Sequence, residues 1–255
     1  MTPTLIKGLL ALTATLATAN ATLVDLRGDV DASGFINDAL FAVDNSQPAG
    51  TGIFGREDGG VFLRIRMTGQ EEGYNTNTNG VMDNIDGTWT HDVLFSSLNT
   101  VNINDVLYVP FLLDVNENVP QGEITLEALQ LFSSTTGGLS HQSLADLAGD
   151  SATTLLYDLD GAGDSSVLLD YNLQGTGSGR SDMGMFIPLD LFDGVEDDDF
   201  IILYSEFTGS DAGFEEWTLG SGDGGPPPPD DEIPEPSSSA LLLISLAALL
   251  SRRRR

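Results

Sequence analysis

The 255-residue sequence contains no cysteine, which excludes disulfides, thiolate metal sites and cysteine nucleophiles. Basic residues are almost as scarce. Ten Lys and Arg stand against 39 Asp and Glu, for a formal charge of −29. Half of the ten lie at the two ends, as Lys7 and as Arg252, Arg253, Arg254 and Arg255. Between them only Arg27, Arg56, Arg64, Arg66 and Arg180 remain, and all 39 acids fall between Asp25 and Glu235, a net of −34 for the part between the ends. Phosphate backbones are bound by cations that displace counterions, so nucleic acid is excluded as a partner. Self-repulsion of this size favours solubility, and salt or divalent cations are expected to stabilise the fold by screening or bridging carboxylates. Imidazole is limited to His91 and His141. Neither stands in a nucleophile or metal-ligand motif, and each reads as a solvated loop residue.

What is present divides into four parts. Residues 1–21 have the pattern of a secretory signal peptide: Lys7, an apolar stretch from Gly8 to Ala19, and the small residues Ala19 and Ala21 at the positions a signal peptidase reads. The mature start is expected at Thr22. Residues 22–219 form an acidic passenger, long enough for one domain with a real core. Residues 220–232 are a Gly/Pro/Asp linker whose four consecutive prolines favour extended polyproline geometry. Residues 233–255 are a tail: Pro234, Glu235 and Pro236, an apolar helix over 240–250, and the four arginines. Proline on both sides keeps Glu235 extended, the form a processing enzyme's cleft accepts. The apolar run is short against the roughly 20 residues that span a bilayer, so it inserts only with snorkelling or local thinning. The arginines stay cytoplasmic under the positive-inside rule. A permanent membrane anchor uses the same physics and differs only in whether the chain is cut.

Pro234-Glu235-Pro236, the apolar segment 240–250 and Arg252 to Arg255, in this order at the extreme end, resemble the PEP-CTERM sorting signal. The resemblance implies an exported protein of a Gram-negative-type bacterium that makes exopolysaccharide. Exosortase, a membrane enzyme, would cleave near the motif after transient anchoring in the inner membrane. The passenger would then be released, or attached at the cell surface or in the extracellular matrix.

In the passenger, apolar runs of five to nine residues alternate with Gly, Asn, Asp and Ser clusters, the spacing of strands. Val61 to Met67 is the clearest, with Val61, Leu63, Ile65 and Met67 on one face and Phe62, Arg64 and Arg66 on the other. Val106 to Val115, Thr153 to Leu159, Met185 to Phe192 and Phe200 to Phe207 read as more deeply buried strands, with Pro110 and Pro188 at edges or bulges. Helical spacing is confined to short stretches such as Leu139 to Ala148, and Ile124 to Phe132 fits either type. The fold class is therefore mainly β: a single antiparallel β-sandwich or jelly roll. Phe111 to Glu117, Gly177 to Gly179 leading into Met185 to Leu189, and Gly213 to Trp217 also look like uncharacterised domains carried by PEP-CTERM proteins, a resemblance that implies no activity.

Candidate sites are few. Asp158, Asp160 and Asp164, interleaved with Gly161 and Gly163, resemble the first half of a calcium loop, since such carboxylates can curl around a hard cation. They depart from the EF-hand pattern at Leu169, where it has glutamate, and a solvated turn is the competing reading. Asp114, Asn116 and Asn118 form a second calcium candidate, with Val119 where the loop glycine would stand. Glu215 and Glu216 beside Trp217, with Trp89 elsewhere, could furnish carboxylates and a sugar platform, but successive residues on a strand face opposite ways and Trp217 reads as a core residue. Asp197 to Asp199 reads as a solvated turn that guards the strand after it. The leading expectation is a non-catalytic surface or matrix protein associated with exopolysaccharide. A carbohydrate-binding module comes second and a secreted glycan hydrolase third.

Overall fold

A computed structural model describes residues 21–44, 60–118, 122–173, 181–211 and 213–220. Ala19, the segment 240–250, Pro234, Glu235, Pro236 and the four tail arginines lie outside the described residues, as do Arg56, Arg180 and the 177–179 glycines. Among the described residues no helix is long and apolar enough to cross a membrane.

Fourteen strands are described: β1 (Leu23–Asp25), β2 (Ser33–Ile36), β3 (Ala39–Val43), β4 (Val61–Ile65), β5 (Gly69–Tyr74), β6 (Val93–Leu94), β7 (Val101–Ile103), β8 (Val106–Asp114), β9 (Glu123–Ser134), β10 (Thr153–Asp158), β11 (Ser166–Asp170), β12 (Met183–Pro188), β13 (Phe200–Ser210) and β14 (Glu215–Leu219). They form two sheets packed as a sandwich. One runs β1-β11-β9-β13-β5, with β10 also on β9 and β6 on β13; the other runs β2-β3-β12-β8-β14-β4, with β7 on β8. Every pairing between these strands is antiparallel except that of β1 with β11. Thr22 is tied in ahead of β1: its N–H donates to Ser165 Oγ at 3.1 Å and its carbonyl accepts from the Ser166 N–H at 3.0 Å.

Alternation along each strand builds the core. Val109, Phe111 and Leu113 of β8 and Met183, Met185 and Ile187 of β12 meet Leu129 and Leu131 of β9 and Leu203 and Phe207 of β13. On the outer face of the β9–β13 sheet, Tyr74, Phe132, Ile202 and Tyr204 form a second cluster, covered by Val81, Leu139 and Leu147 from the connecting segments. Asn37-Asp38 and Asn104-Asp105 all have positive φ and close the β2–β3 and β7–β8 hairpins. That is the two-residue turn whose twist matches paired strands, and Asn and Asp tolerate it better than most side chains.

The structure decides one open reading and corrects three expectations. Ile124 to Phe132 lies within the 12-residue β9, paired on both sides, because neighbours satisfy its backbone along the whole length. Leu139 to Ala148 is helical only over Leu144–Ala148 (α1), capped by Ser143, whose Oγ accepts the Asp146 N–H; Leu139 instead fills the second cluster. In β4 the register jumps from Trp217↔Leu63 to Thr218↔Val61. Phe62 is the extra residue of that bulge and joins Leu63 in the core, while Met67 is exposed. Met185 to Phe192 leaves the sheet at Pro188 and becomes a 3₁₀ turn over Leu189–Phe192.

Pro110 stands in an interior strand, between β12 and β14, not at an edge or bulge. It is tolerated because β14 ends at Leu219 and the carbonyl of Gly220, which a residue with an N–H at 110 would have served, accepts from Asn99 Nδ2 at 3.1 Å. Pro188 closes an interior strand as its last residue.

Beyond β1, Arg27 reaches Asp25 through Nε at 2.9 Å and Glu123 through a terminal nitrogen at 3.1 Å. The Arg27 side chain, then its backbone N–H, holds the Asp25 carboxyl at about 2, against an ordinary 3.8. A depressed folded pKa contributes stability that is present above the ordinary value and lost as pH falls through the folded one. Arg27→Ala is expected to raise the Asp25 titration toward 3.8, read by carboxyl NMR; the pair is exposed and its effect on stability is small.

Candidate functional site

β14 carries two glutamates on opposite faces, and each meets a different environment. Glu216 points outward and ion-pairs with Arg64 of β4, both side chains largely buried. The Arg64 guanidinium lies 3.8 Å from the ring centre of Trp89 and 4.7 Å from that of Phe214. Arg66, exposed one repeat further along, lies 5.0 Å from the same Phe214 ring. Two of the chain's few arginines thus converge on aromatic faces, where a cation is attracted to the ring quadrupole. Burial raises the Glu216 carboxyl against the opposing pull of Arg64.

Glu215 points inward, opposite Ile65, and is fully buried. Neither of its oxygens meets an N–H or hydroxyl donor; the groups in hydrogen-bonding reach are the carboxyls of Glu71 and Glu117. Glu71, also fully buried, comes from β5 in the facing sheet. Its Oε2 accepts the Met67 N–H at 2.7 Å, and its Oε1 has no donor. Glu117, in the turn after β8, accepts the Asp211 N–H at 2.8 Å, and Asp211 Oδ1 accepts the Asn118 N–H at 3.1 Å. Burial first, then Glu71 and Glu117, pushes the Glu215 carboxyl well above the usual carboxylate range. The hydrogen bond with Glu117, then the Asn118 N–H, holds Asp211 below it. A desolvated carboxyl packed against other carboxyls is held in its neutral form, as at Glu215.

The calcium candidates are used differently from the expectation. Asp158, Asp160 and Asp164 do lie in one turn, between β10 and β11, but Asp158 Oδ1 accepts the Asp160 N–H at 3.0 Å and Asp160 Oδ1 the Ser165 N–H at 2.7 Å. Asn37 Nδ2 caps the turn, donating to the carbonyls of Asp158 at 2.8 Å and Leu159 at 2.9 Å, and Asp164 is exposed. Of the second set, Asp114 ends β8 opposite Glu216, Asn116 Nδ2 donates to the Phe214 carbonyl at 3.0 Å, and Asn118 binds Asp211 through its backbone. This segment latches the turn between β13 and β14. Among the described residues no group of three or more His, Asp or Glu is arranged to hold a metal ion.

Trp217 is wholly buried, its Nε1–H donating to Ser205 Oγ at 3.1 Å, so it presents no ring to a sugar. His141 is not merely a solvated loop residue: Nε2 lies 2.8 Å from Asp150 Oδ2, and the His141 backbone N–H donates to the Tyr74 hydroxyl at 2.7 Å. Burial pushes that hydroxyl up to about 12. Asp197 to Asp199 is the turn that was expected, with Asp197 and Asp198 exposed and Asp199 half-buried, and it also receives the 95–96 amides.

Sequence reasoning found Glu215 and Glu216 and assigned them opposite faces, but missed Glu71, Glu117 and the stacking of Arg64. The two glycines and two glutamates of β5 hide its strand pattern. No family model, no curated protein and no solved structure matches this chain.

Proposed function

We propose that this chain is an exported, non-catalytic protein of the cell surface or extracellular matrix, whose acidic β-sandwich is sorted by its C-terminal tail. One observation carries the reading: the ordered succession of Pro234-Glu235-Pro236, the apolar segment 240–250 and Arg252 to Arg255. A short apolar segment held by cytoplasmic arginines suspends an extended, proline-flanked glutamate at the membrane surface, within reach of an exosortase. The organisation of the sandwich supports it: β14 ends at Leu219, ahead of the proline-rich linker. Signal peptidase and exosortase are the processing partners, the inner membrane a transient one, and exopolysaccharide the matrix component the tail implies.

A sugar-stacking role ranks behind this reading because, among the described residues, the exposed large apolar side chains, Leu23, Val30, Met67, Leu94, Val106, Leu107 and Leu155, include no aromatic.

Mass spectrometry of the protein recovered from the native cell surface tests the proposal. The expected species begins at Thr22 and ends near Glu235, and deletion of the tail abolishes surface retention. Surface protein that keeps its arginines would mean a permanent anchor and sink the sorting reading.

A further inference from the structure

The inward-facing carboxyls of Glu215 and Glu71 lie between the two sheets, and among the described residues no cation pairs with either. Opposite Glu215, β4 contributes Ile65; facing it are Glu71 from β5 and Glu117 from the turn after β8, with Asp211 from beyond β13 bound to Glu117. Arg64, Glu216 and, by strand alternation, Asp114 and Arg66 belong to the opposite face. Backbone N–H groups reach Glu71, Glu117 and Asp211, and none reaches Glu215.

A fully buried carboxylate with neither donor nor cation is a state proteins avoid by neutralising the group. A proton shared with the neighbouring carboxyl neutralises it without any further group. We propose that Glu215 stays protonated when the sandwich is closed and donates its O–H to Glu71, so that the two share one proton across the gap between the sheets. Loss of that proton places two negative charges in contact inside the sandwich. The β5–β14 end is therefore a pH-sensitive seam, closed in mildly acidic surroundings and weakened in alkaline ones, whatever delivers the protein to its location.

The sign follows from linkage. Glu215 binds its proton more tightly folded than unfolded, so the folded state holds more protons above the ordinary glutamate value of 4.5 and stability falls as pH rises from there. One retained proton changes the unfolding equilibrium constant by up to about tenfold per pH unit. General repulsion among the surface acids also grows with pH, but a substitution at Glu215 leaves it almost unchanged.

Urea unfolding of the full-length chain in non-ionic detergent, followed by circular dichroism between about pH 5 and about pH 8, separates the two contributions. Glu215→Gln supplies a permanent N–H donor in place of the carboxyl proton. Wild type and E215Q are expected to unfold at similar urea concentrations near pH 5. At pH 8 the variant should be the more stable, by at least tenfold in the equilibrium constant. Parallel pH dependences would overturn the proposal. So would calcium restoring wild type at pH 8 without affecting E215Q, because a cation would then occupy the place assigned to the proton. Should E215Q not fold, ¹³C-carboxyl NMR of wild type decides: one glutamate still protonated at neutral pH is expected, and full ionisation of every glutamate there sinks the assignment.

Discussion

Replacing Trp217 with alanine is expected to destabilise the sandwich by about 3–5 kcal/mol, the range for emptying a large buried aromatic site. Trp217 is among the largest fully buried side chains and belongs to the core cluster between the sheets. It stands opposite Leu63 of β4 and Leu113 of β8, so truncation opens a void against both neighbouring strands. It also removes the indole N–H from the Ser205 hydroxyl, itself wholly buried. Trp217→Phe separates the two losses. It keeps most of the volume and forfeits the hydrogen bond, for an expected cost of about 1–2 kcal/mol. Urea unfolding of both variants checks this. A Trp217→Ala cost under about 1 kcal/mol would mean the surrounding strands collapse into the space, contrary to close packing at this site.

Arg64→Met is expected to cost about 3 kcal/mol at neutral pH, because removing one member of a buried ion pair leaves the other charge uncompensated. Glu216 is the stranded partner, with a side chain only 4% exposed. Methionine retains an apolar chain against Trp89 and Phe214, so most of the loss is electrostatic. Burial already raises the Glu216 carboxyl while Arg64 lowers it; without Arg64 it rises further. A raised folded pKa means stability is lost as pH climbs above the ordinary value of 4.5, so the deficit of Arg64→Met should shrink toward that pH and widen above it. The double variant Arg64→Met/Glu216→Gln should recover most of the loss, and the double-mutant cycle measures the coupling. A deficit that neither varies with pH nor responds to Glu216→Gln would assign Arg64's contribution to stacking instead.

Legibility followed the range of the interactions. β8, β10 and β13 announced themselves as runs of apolar residues; β8 and β13 are buried along most of their length, whereas β10 is buried only at Tyr157. β5 did not, since Gly69, Gln70, Glu71, Glu72 and Gly73 form no apolar run; only its pairing with β13 makes it a strand. Val61 to Met67 has a clean alternation on paper, yet the bulge at Phe62 brings two neighbouring side chains to one face. Pro110 illustrates the same limit. A proline rule speaks of the sheet around it, and whether a missing N–H matters depends on where β14 stops and on Asn99, which caps the carbonyl left over.

Composition and the order of segments determined what depends on local chemistry alone: the excess of acid, the absence of thiols, the signal-like start, the tail that resembles a sorting signal and the mainly β character. Each is a property of residue types or of spacing within a few residues. The fate of the adjacent glutamates with which β14 begins needed the tertiary structure. Alternation alone sends Glu215 and Glu216 to opposite faces, but which face holds Arg64 and which holds Glu71 depends on strand register between distant parts of the chain. A one-residue slip in that register would exchange the two environments, giving Glu215 the cation and Glu216 the buried carboxyls.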